Sequence, residues 1–172
     1  MSEHHVSVEV HAPVQQVYSF FSHFNDFPKF MSFVKEVTYY DEQRSHWVAQ
    51  VGGTQEWDAV NEDWIPQRQI GWRSINGLEN RGRVKFTYLG DSRTNVDVYI
   101  SYVPPAGILG EAVDRLGLDS HFDAILQDDL NRFAAMVEEA PDDALDPMQS
   151  HYLFYNDSAY ARDTITDRQK EA

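Results

Sequence analysis

The chain has 172 residues, of which 42% are hydrophobic and 13% aromatic, and a formal net charge of −14 from 28 acidic and 14 basic side chains. That length suits one domain, burying roughly 70% of the surface exposed by the unfolded chain. The acidic balance repels phosphate backbones and anionic headgroups, which disfavours nucleic-acid binding and a polybasic membrane anchor. The absence of cysteine removes disulfides, thiolate nucleophiles, iron–sulfur clusters and Cys-based zinc sites.

The opening Met1-Ser2-Glu3-His4-His5 lacks the layout of a secretory signal, and no apolar run approaches the ~20 residues of a membrane span. A cytoplasmic location is the expectation. Val6, Val8 and Val10 alternate with polar neighbours, predicting a strand over 5–11. Ala12-Pro13 breaks it, and Val14, Val17, Tyr18 and Phe21 follow at helical spacing; a short second helix is expected around Phe27–Phe30.

Six strand candidates come next: Val34–Tyr40, Ser45–Val51, Gln55–Ile65, Gln69–Ile75, Arg83–Leu89 and Thr94–Val103. They are separated by turn signals such as Gly52-Gly53, Asn76-Gly77 and Gly90-Asp91. This spacing predicts an antiparallel meander. Ile108–Leu116 reads as a short apolar helix. Phe122, Ile125, Leu126, Leu130, Phe133, Met136 and Val137 then form the apolar stripe of a long helix that Asp129 alone interrupts and Pro141 ends. The domain is thus expected over 1–140, with an acidic appended tail over 141–172 whose one sticky stretch is Tyr152–Tyr155. The fold class is α+β: a curved antiparallel sheet of about seven strands around a long C-terminal helix.

Period-2 alternation assigns side chains to sheet faces. Trp57, Ala59 and Asn61 share a face, as do Ile70, Trp72 and Ser74, then Val84, Phe86 and Tyr88, then Val96, Val98, Ile100 and Tyr102. One face is greasy and aromatic, the other polar. A single helical stripe is too narrow for a strongly bent face of six or seven strands. The remainder is either filled by bulky side chains or left as a cavity for an apolar molecule. The candidate ligand-facing residues are Trp57, Asn61, Trp72, Ser74, Phe86, Tyr88, Val98, Ile100 and Tyr102 on the sheet, with Phe122, Ile125 and Leu126 on the helix. Asn61 and Ser74 stand out, because an unpaired polar group on an inner face costs about 1–3 kcal/mol.

Several of these segments carry a family pattern. Val8-Glu9-Val10-His11-Ala12-Pro13, Val17-Tyr18 and Phe27-Pro28-Lys29-Phe30 open it. Gln69-Ile70-Gly71-Trp72-Arg73-Ser74 and Gly82-Arg83-Val84-Lys85-Phe86 continue it. Tyr102-Val103-Pro104-Pro105-Ala106-Gly107-Ile108-Leu109-Gly110 and Asp129-Leu130-Asn131-Arg132-Phe133 complete it. Together they resemble the START-like (SRPBCC) helix-grip superfamily, in its polyketide cyclase/dehydrase and coenzyme Q-binding branch. The resemblance implies a strand–two helices–six strands–long helix order. It also implies a hydrophobic tunnel between sheet and helix that serves lipids, quinones or polyketides, with the Pro104–Gly110 segment beside its mouth as a lid.

Catalysis in such a tunnel needs an acid or base facing it. None of the seven histidines has a metal-ligand spacing, and His4-His5 near the terminus reads as solvated. Tyr88, Tyr102 and Asp63 are the conceivable proton-transfer groups. No phosphate loop or nucleophile elbow occurs, and no cofactor or metal is called for. The leading expectation is a non-catalytic binder or carrier of a hydrophobic small molecule. A polyketide-type cyclase/dehydratase is the second, and a stress or interaction protein with a filled cavity the third. The expected partners are the apolar ligand, membranes in transient contact only, and a protein partner for the acidic tail.

Overall fold

The alternation of β1 (Ser2–Val10) buries Ser2, His4, Val6 and Val10 along one face and leaves Glu3, His5 and Ser7 outside. The computed structural model describes residues 2–50, 53–104 and 118–139. β1 pairs antiparallel with the last strand, β7 (Arg93–Tyr102), in unbroken register from Ser2↔Tyr102 to Val10↔Thr94. Between them in sequence lie β2 (Val34–Tyr39), β3 (Arg44–Gln50), β4 (Thr54–Asn61), β5 (Gln69–Gly77) and β6 (Asn80–Gly90). The seven strands form one curled antiparallel sheet in the order β1-β7-β6-β5-β4-β3-β2. Helix α1 (Val14–Phe21) and a 3-10 helix (Phe24–Lys29) follow β1, and the long helix α2 (Leu118–Glu139) closes the described chain. This is the α+β order expected from the sequence.

The boundaries differ in instructive places. β1 starts at Ser2 rather than at residue 5, because β7 is long enough to pair with it throughout. His4 is therefore not solvated. It is 5% exposed, stacks on Tyr102 and donates from Nδ1 to Asp123 Oδ1 of α2 at 2.5 Å. β4 ends at Asn61, short of Ile65, because Asp63 and Gln67 take left-handed backbone conformations (φ 55° and 60°) that no strand continues through. β6 begins three residues early, at Asn80. The short helix expected over 108–116, the Pro104–Gly110 lid (beyond Pro104) and the tail over 141–172 lie outside the described residues.

α1 has only eight residues and no side-chain cap, so its stability comes from packing. Val17, Tyr18, Phe20 and Phe21 are buried. Phe21 meets Phe27, Phe30, Phe86 and Phe133 with ring centroids 5.0–6.3 Å apart, in edge-on geometries that aromatic quadrupoles favour. α2 lies along β1, where Gln127 Nε2 donates to the Ser7 carbonyl at 3.0 Å. Its stripe of Phe122, Leu126, Leu130, Phe133 and Val137 is buried.

Asp129, the stripe's polar interruption, is 1% exposed. Its Oδ2 accepts from the Ser32 backbone N–H (2.8 Å) and hydroxyl (2.9 Å), and its Oδ1 accepts from Arg132 Nη2 (3.1 Å). The carboxylate thus ties α2 to the turn that leads from the 3-10 helix into β2. Truncation strips the Ser32 N–H and hydroxyl of their acceptor and removes the charge-assisted bond from Arg132. Asp129→Ala is expected to lower unfolding stability by about 2–3 kcal/mol. Urea denaturation checks this; a loss below about 0.5 kcal/mol would show that the clamp is not structural.

Candidate ligand-binding site

On the concave face, β3, β4 and β5 each supply one tryptophan. The rings of Trp47 and Trp57 lie 5.6 Å apart and 15° from parallel, and those of Trp47 and Trp72 5.3 Å apart and 21° from parallel. Trp47 sits opposite Trp57 in the ladder, while Trp72 pairs with Asn61 and Gly82. Trp72 lies across Gly82: a Cβ placed there would come within 2.0 Å of the indole ring. The glycine is the gap into which the indole fits.

Beside this stack is a cavity of about 30 Å³. Its sheet walls include Trp47, Trp57, Trp72, Asn80, Ile100 and Tyr102, and Phe122 of α2 faces them. Phe27, Met31, Phe33, Val34 and Leu78 complete it. Five of the twelve candidates from the sequence therefore meet here: Trp57, Trp72, Ile100, Tyr102 and Phe122. Phe86, Val98 and Leu126 are buried elsewhere in the core, Phe86 beneath Tyr18 and Phe21 of α1. Ile125 is half-buried on α2.

Three further candidates on the sheet do not line the cavity. Tyr88 is 61% exposed, since the β6–β7 hairpin outruns the core there, and its hydroxyl donates to Asp91 Oδ1 at 2.6 Å. Asn61 is half-buried at the end of β4, beyond a bulge at Asp58/Ala59, and its Nδ2 donates to the Glu42 carbonyl at 3.4 Å. Ser74 spends its Oγ accepting from the Asn80 backbone N–H at 2.9 Å. The third proton-transfer candidate, Asp63, is an exposed loop residue paired with Arg83 at 2.9 Å.

Conversely, Asn80 escaped the sequence reading because the Asn76-Gly77 signal placed the turn later than it ends. Once β6 is extended backward, Asn80, Gly82, Val84 and Phe86 share the inner face. Asn80 Oδ1 accepts from Trp72 Nε1 at 3.1 Å, and its Nδ2 donates to the Leu78 carbonyl at 2.8 Å. Trp47 was legible from the alternation of Ser45, Trp47 and Ala49. Phe27, Met31 and Phe33 carry no periodic signal, because they come from the 3-10 helix and the turn after it.

The cavity walls include no Asp, Glu, His, Lys or Arg among the described residues. One titratable network lies on the outer face. His46 Nδ1 and the Tyr40 hydroxyl both donate to Asp58 Oδ1 at 2.8 Å, and Asn76 Nδ2 donates to Asp58 Oδ2 at 2.7 Å. These bonds, led by that from Asn76, hold the Asp58 carboxyl below its usual range, and the bond to Asp58 raises His46 above its ordinary 6.5. A larger, open concavity of about 550 Å³ also lies on the outer face, around Tyr99, Lys85, Arg83 and Arg81. It is a charged surface rather than an apolar enclosure, with Arg81 paired to Glu62 and Arg83 to Asp63. Among the described residues no group of three or more His, Asp or Glu could hold a metal ion, and no helix is long and apolar enough to cross a membrane.

A curled seven-stranded sheet gripping a C-terminal helix, with an aromatic interior between them, defines a START-like helix-grip protein. Residues 10–120 match the family described as polyketide cyclase/dehydrase and lipid transport, and the chain belongs to that family. It is 32% identical over 141 residues to an uncharacterised 17.2 kDa protein of Streptomyces lincolnensis from the melC2-rnhH intergenic region. That match covers 81% of this chain and 91% of the relative. Two solved structures share the fold at a TM-score of 0.65. One is a START superfamily protein from Mycobacterium smegmatis (16% identity, covering 80% of this chain and 99% of that one). The other is the ZhuI aromatase/cyclase from Streptomyces sp. R1128 (18% identity, 80% and 96%).

Two predictions follow from the geometry. Gly82→Ala must push the Trp72 indole aside. It should cost about 1–3 kcal/mol and alter the near-ultraviolet circular dichroism; an unchanged spectrum and stability would show the contact to be slack. His46 favours its charged form in the folded state, so its stabilisation is complete below pH 6.5 and is lost as pH rises through the raised folded value. The stability gap between the native chain and His46→Gln should therefore shrink between pH 6 and 9, as read from denaturation midpoints, and by less than about 1 kcal/mol for so accessible a pair.

Proposed function

We propose that this protein is a non-catalytic binder or carrier of a hydrophobic small molecule of lipid, quinone or polyketide type, held between the sheet and α2. The observation that carries this reading is the composition of the inner wall: three stacked indoles, Phe27, Phe122 and aliphatic side chains, with no Asp, Glu, His, Lys or Arg among the described residues. Apolar walls with few polar groups favour burial of an apolar ligand, and Tyr102 is the one proton-transfer candidate among the described wall residues. Membership of a family described in part by lipid transport supports the same reading. Action in the cytoplasm, with only transient membrane contact, belongs to the same proposal.

A volume of about 30 Å³ admits roughly one water molecule, whereas drug-sized ligands occupy about 300–1,000 Å³. Loading therefore requires side chains to give way, and Phe33 and Leu78 are the partly exposed walls. The same small volume favours a second reading, a protein with a permanently filled interior that acts through protein contacts, its acidic tail among them. The cyclase/dehydratase reading rests on the family description and on the ZhuI fold likeness.

Native mass spectrometry with solvent extraction of freshly purified protein separates these readings. A co-purifying apolar molecule is expected, and its absence, together with no uptake of an apolar fluorescent probe, would favour the filled-interior reading. In a probe titration, Trp72→Ala should weaken binding by at least about tenfold, a loss of about 1.4 kcal/mol, while far-ultraviolet circular dichroism stays unchanged. Equal affinity in the folded variant would remove Trp72 from the site.

A further inference from the structure

The walls of the cavity are not held equally. Trp47 and Trp72 donate to Ser45 and Asn80, and Trp57, Ile100 and Tyr102 belong to strands paired on both sides. Phe27 is fully buried among Phe21, Phe24, Trp47 and Trp72. The backbones of Phe33 and Leu78 are tied as well: the Gln50 N–H donates to the Phe33 carbonyl at 2.8 Å, and the Leu78 N–H to the Glu56 carbonyl at 3.1 Å. Phe122 is the one wall that α2 supplies. It lies near the start of the helix, where opening costs least, and the Asp129 clamp is two turns further on.

Two groups hold Phe122 in place. Its ring meets those of Phe33, Tyr102 and His4 at centroid distances of 5.0, 5.6 and 4.6 Å. Beside it, the half-exposed Asp123 carboxylate accepts from Nδ1 of the buried His4 at 2.5 Å. Among the described side chains before Gln127, this is the one hydrogen bond from α2 to the sheet. His4 itself stacks on Tyr102, so the bond braces two walls at once. Neither His4 nor Asp123 lines the cavity.

We infer that the His4–Asp123 bond is the latch of the cavity, two positioning residues that keep Phe122 seated and set how fast an apolar ligand enters and leaves. The route runs past Phe122, Phe33 and Leu78. This rests on the binding reading above and deepens it: a cavity the size of one water must open to load, and the latch decides where. Asp123 already faces water and can exchange its bond for hydration at small cost, which the buried Asp129 cannot. Because the latch braces the walls from behind, it closes over a guest as it does over the empty site. Its loss therefore speeds entry and exit alike and leaves affinity nearly unchanged.

The test is stopped-flow fluorescence of the uncharged probe N-phenyl-1-naphthylamine with the full chain. Asp123→Ala should raise the association and dissociation rate constants together by about fivefold, the factor carried by one such bond, and change Kd by less than about twofold. Asp123→Asn, whose amide oxygen still accepts, should return both rates toward native. His4→Phe keeps a ring on Tyr102 but removes the donor; it should match Asp123→Ala and add nothing to it in the double variant. Gln127→Ala releases the bond to the Ser7 carbonyl one turn further along α2 and should leave both rates native. Native rates in Asp123→Ala, faster exit without faster entry, or equal acceleration by Gln127→Ala would each overturn the inference and leave the binding reading standing. Failure of the native chain to take up the probe would overturn the binding reading and the inference with it. Should His4→Phe not fold, the variants at the half-exposed Asp123 still decide.

Discussion

The structure depends on covering the concave side of a sheet that is wider than one helix. α2 lies along β1 at one edge of the sheet and buries a single stripe. Across β3 to β6 the concave face is covered instead by aromatic side chains from α1 and the 3-10 helix. Phe24 touches Trp47, Trp64 and Trp72, Phe27 touches Trp47 and Trp72, and Phe21 reaches Phe86. These rings are long enough to span from helix to sheet, and their edge-to-face contacts reward that span. Without them, burial of the β3–β5 tryptophans would have no covering layer.

A face covered in this way has little tolerance for unpaired polarity, and the chain meets that demand locally. Asp129 is answered by Ser32 and Arg132, Trp47 by Ser45, Trp72 by Asn80, and Thr94 by the Ala12 carbonyl at 2.9 Å. Each pairing joins two elements, or fixes one indole in one orientation, so satisfying the polar group also locks the register of the surrounding layer. The cavity is what remains where this filling falls short, between the indole stack, the end of β7 and the start of α2. Its small volume follows from aromatic side chains packing at the density of organic crystals. Occupying it means exchanging some of those contacts for contacts with a guest, which favours guests that are themselves apolar and polarisable.

The element order, the meander and the identity of the inner face were legible in the sequence, because a period of two or of 3.6 survives in every long element. The misplacements have local causes. Tyr88 obeys the alternation of β6 but lies past the point where α1 covers the sheet, so periodicity put it on the right face and told nothing of its burial. Ser74 sits directly beside a β-bulge between β4 and β5, and Asn61 lies past it at the end of β4, an irregularity that alternation cannot register. His4 was read as a terminal residue, whereas the length of β7 makes it a core-facing one.

What the sequence determined by itself is the pattern of faces: which side chains point together along each strand and helix, and hence that one side of the sheet is oily and must be covered. Only the tertiary structure decided how completely it is covered and which polar groups meet. That depends on side chains distant in sequence, Phe24 against Trp72 or Ser32 against Asp129, converging on one place. Local periodicity carries no information about such distances. The closeness of the aromatic filling, and with it the cavity's size, belongs to the folded molecule alone.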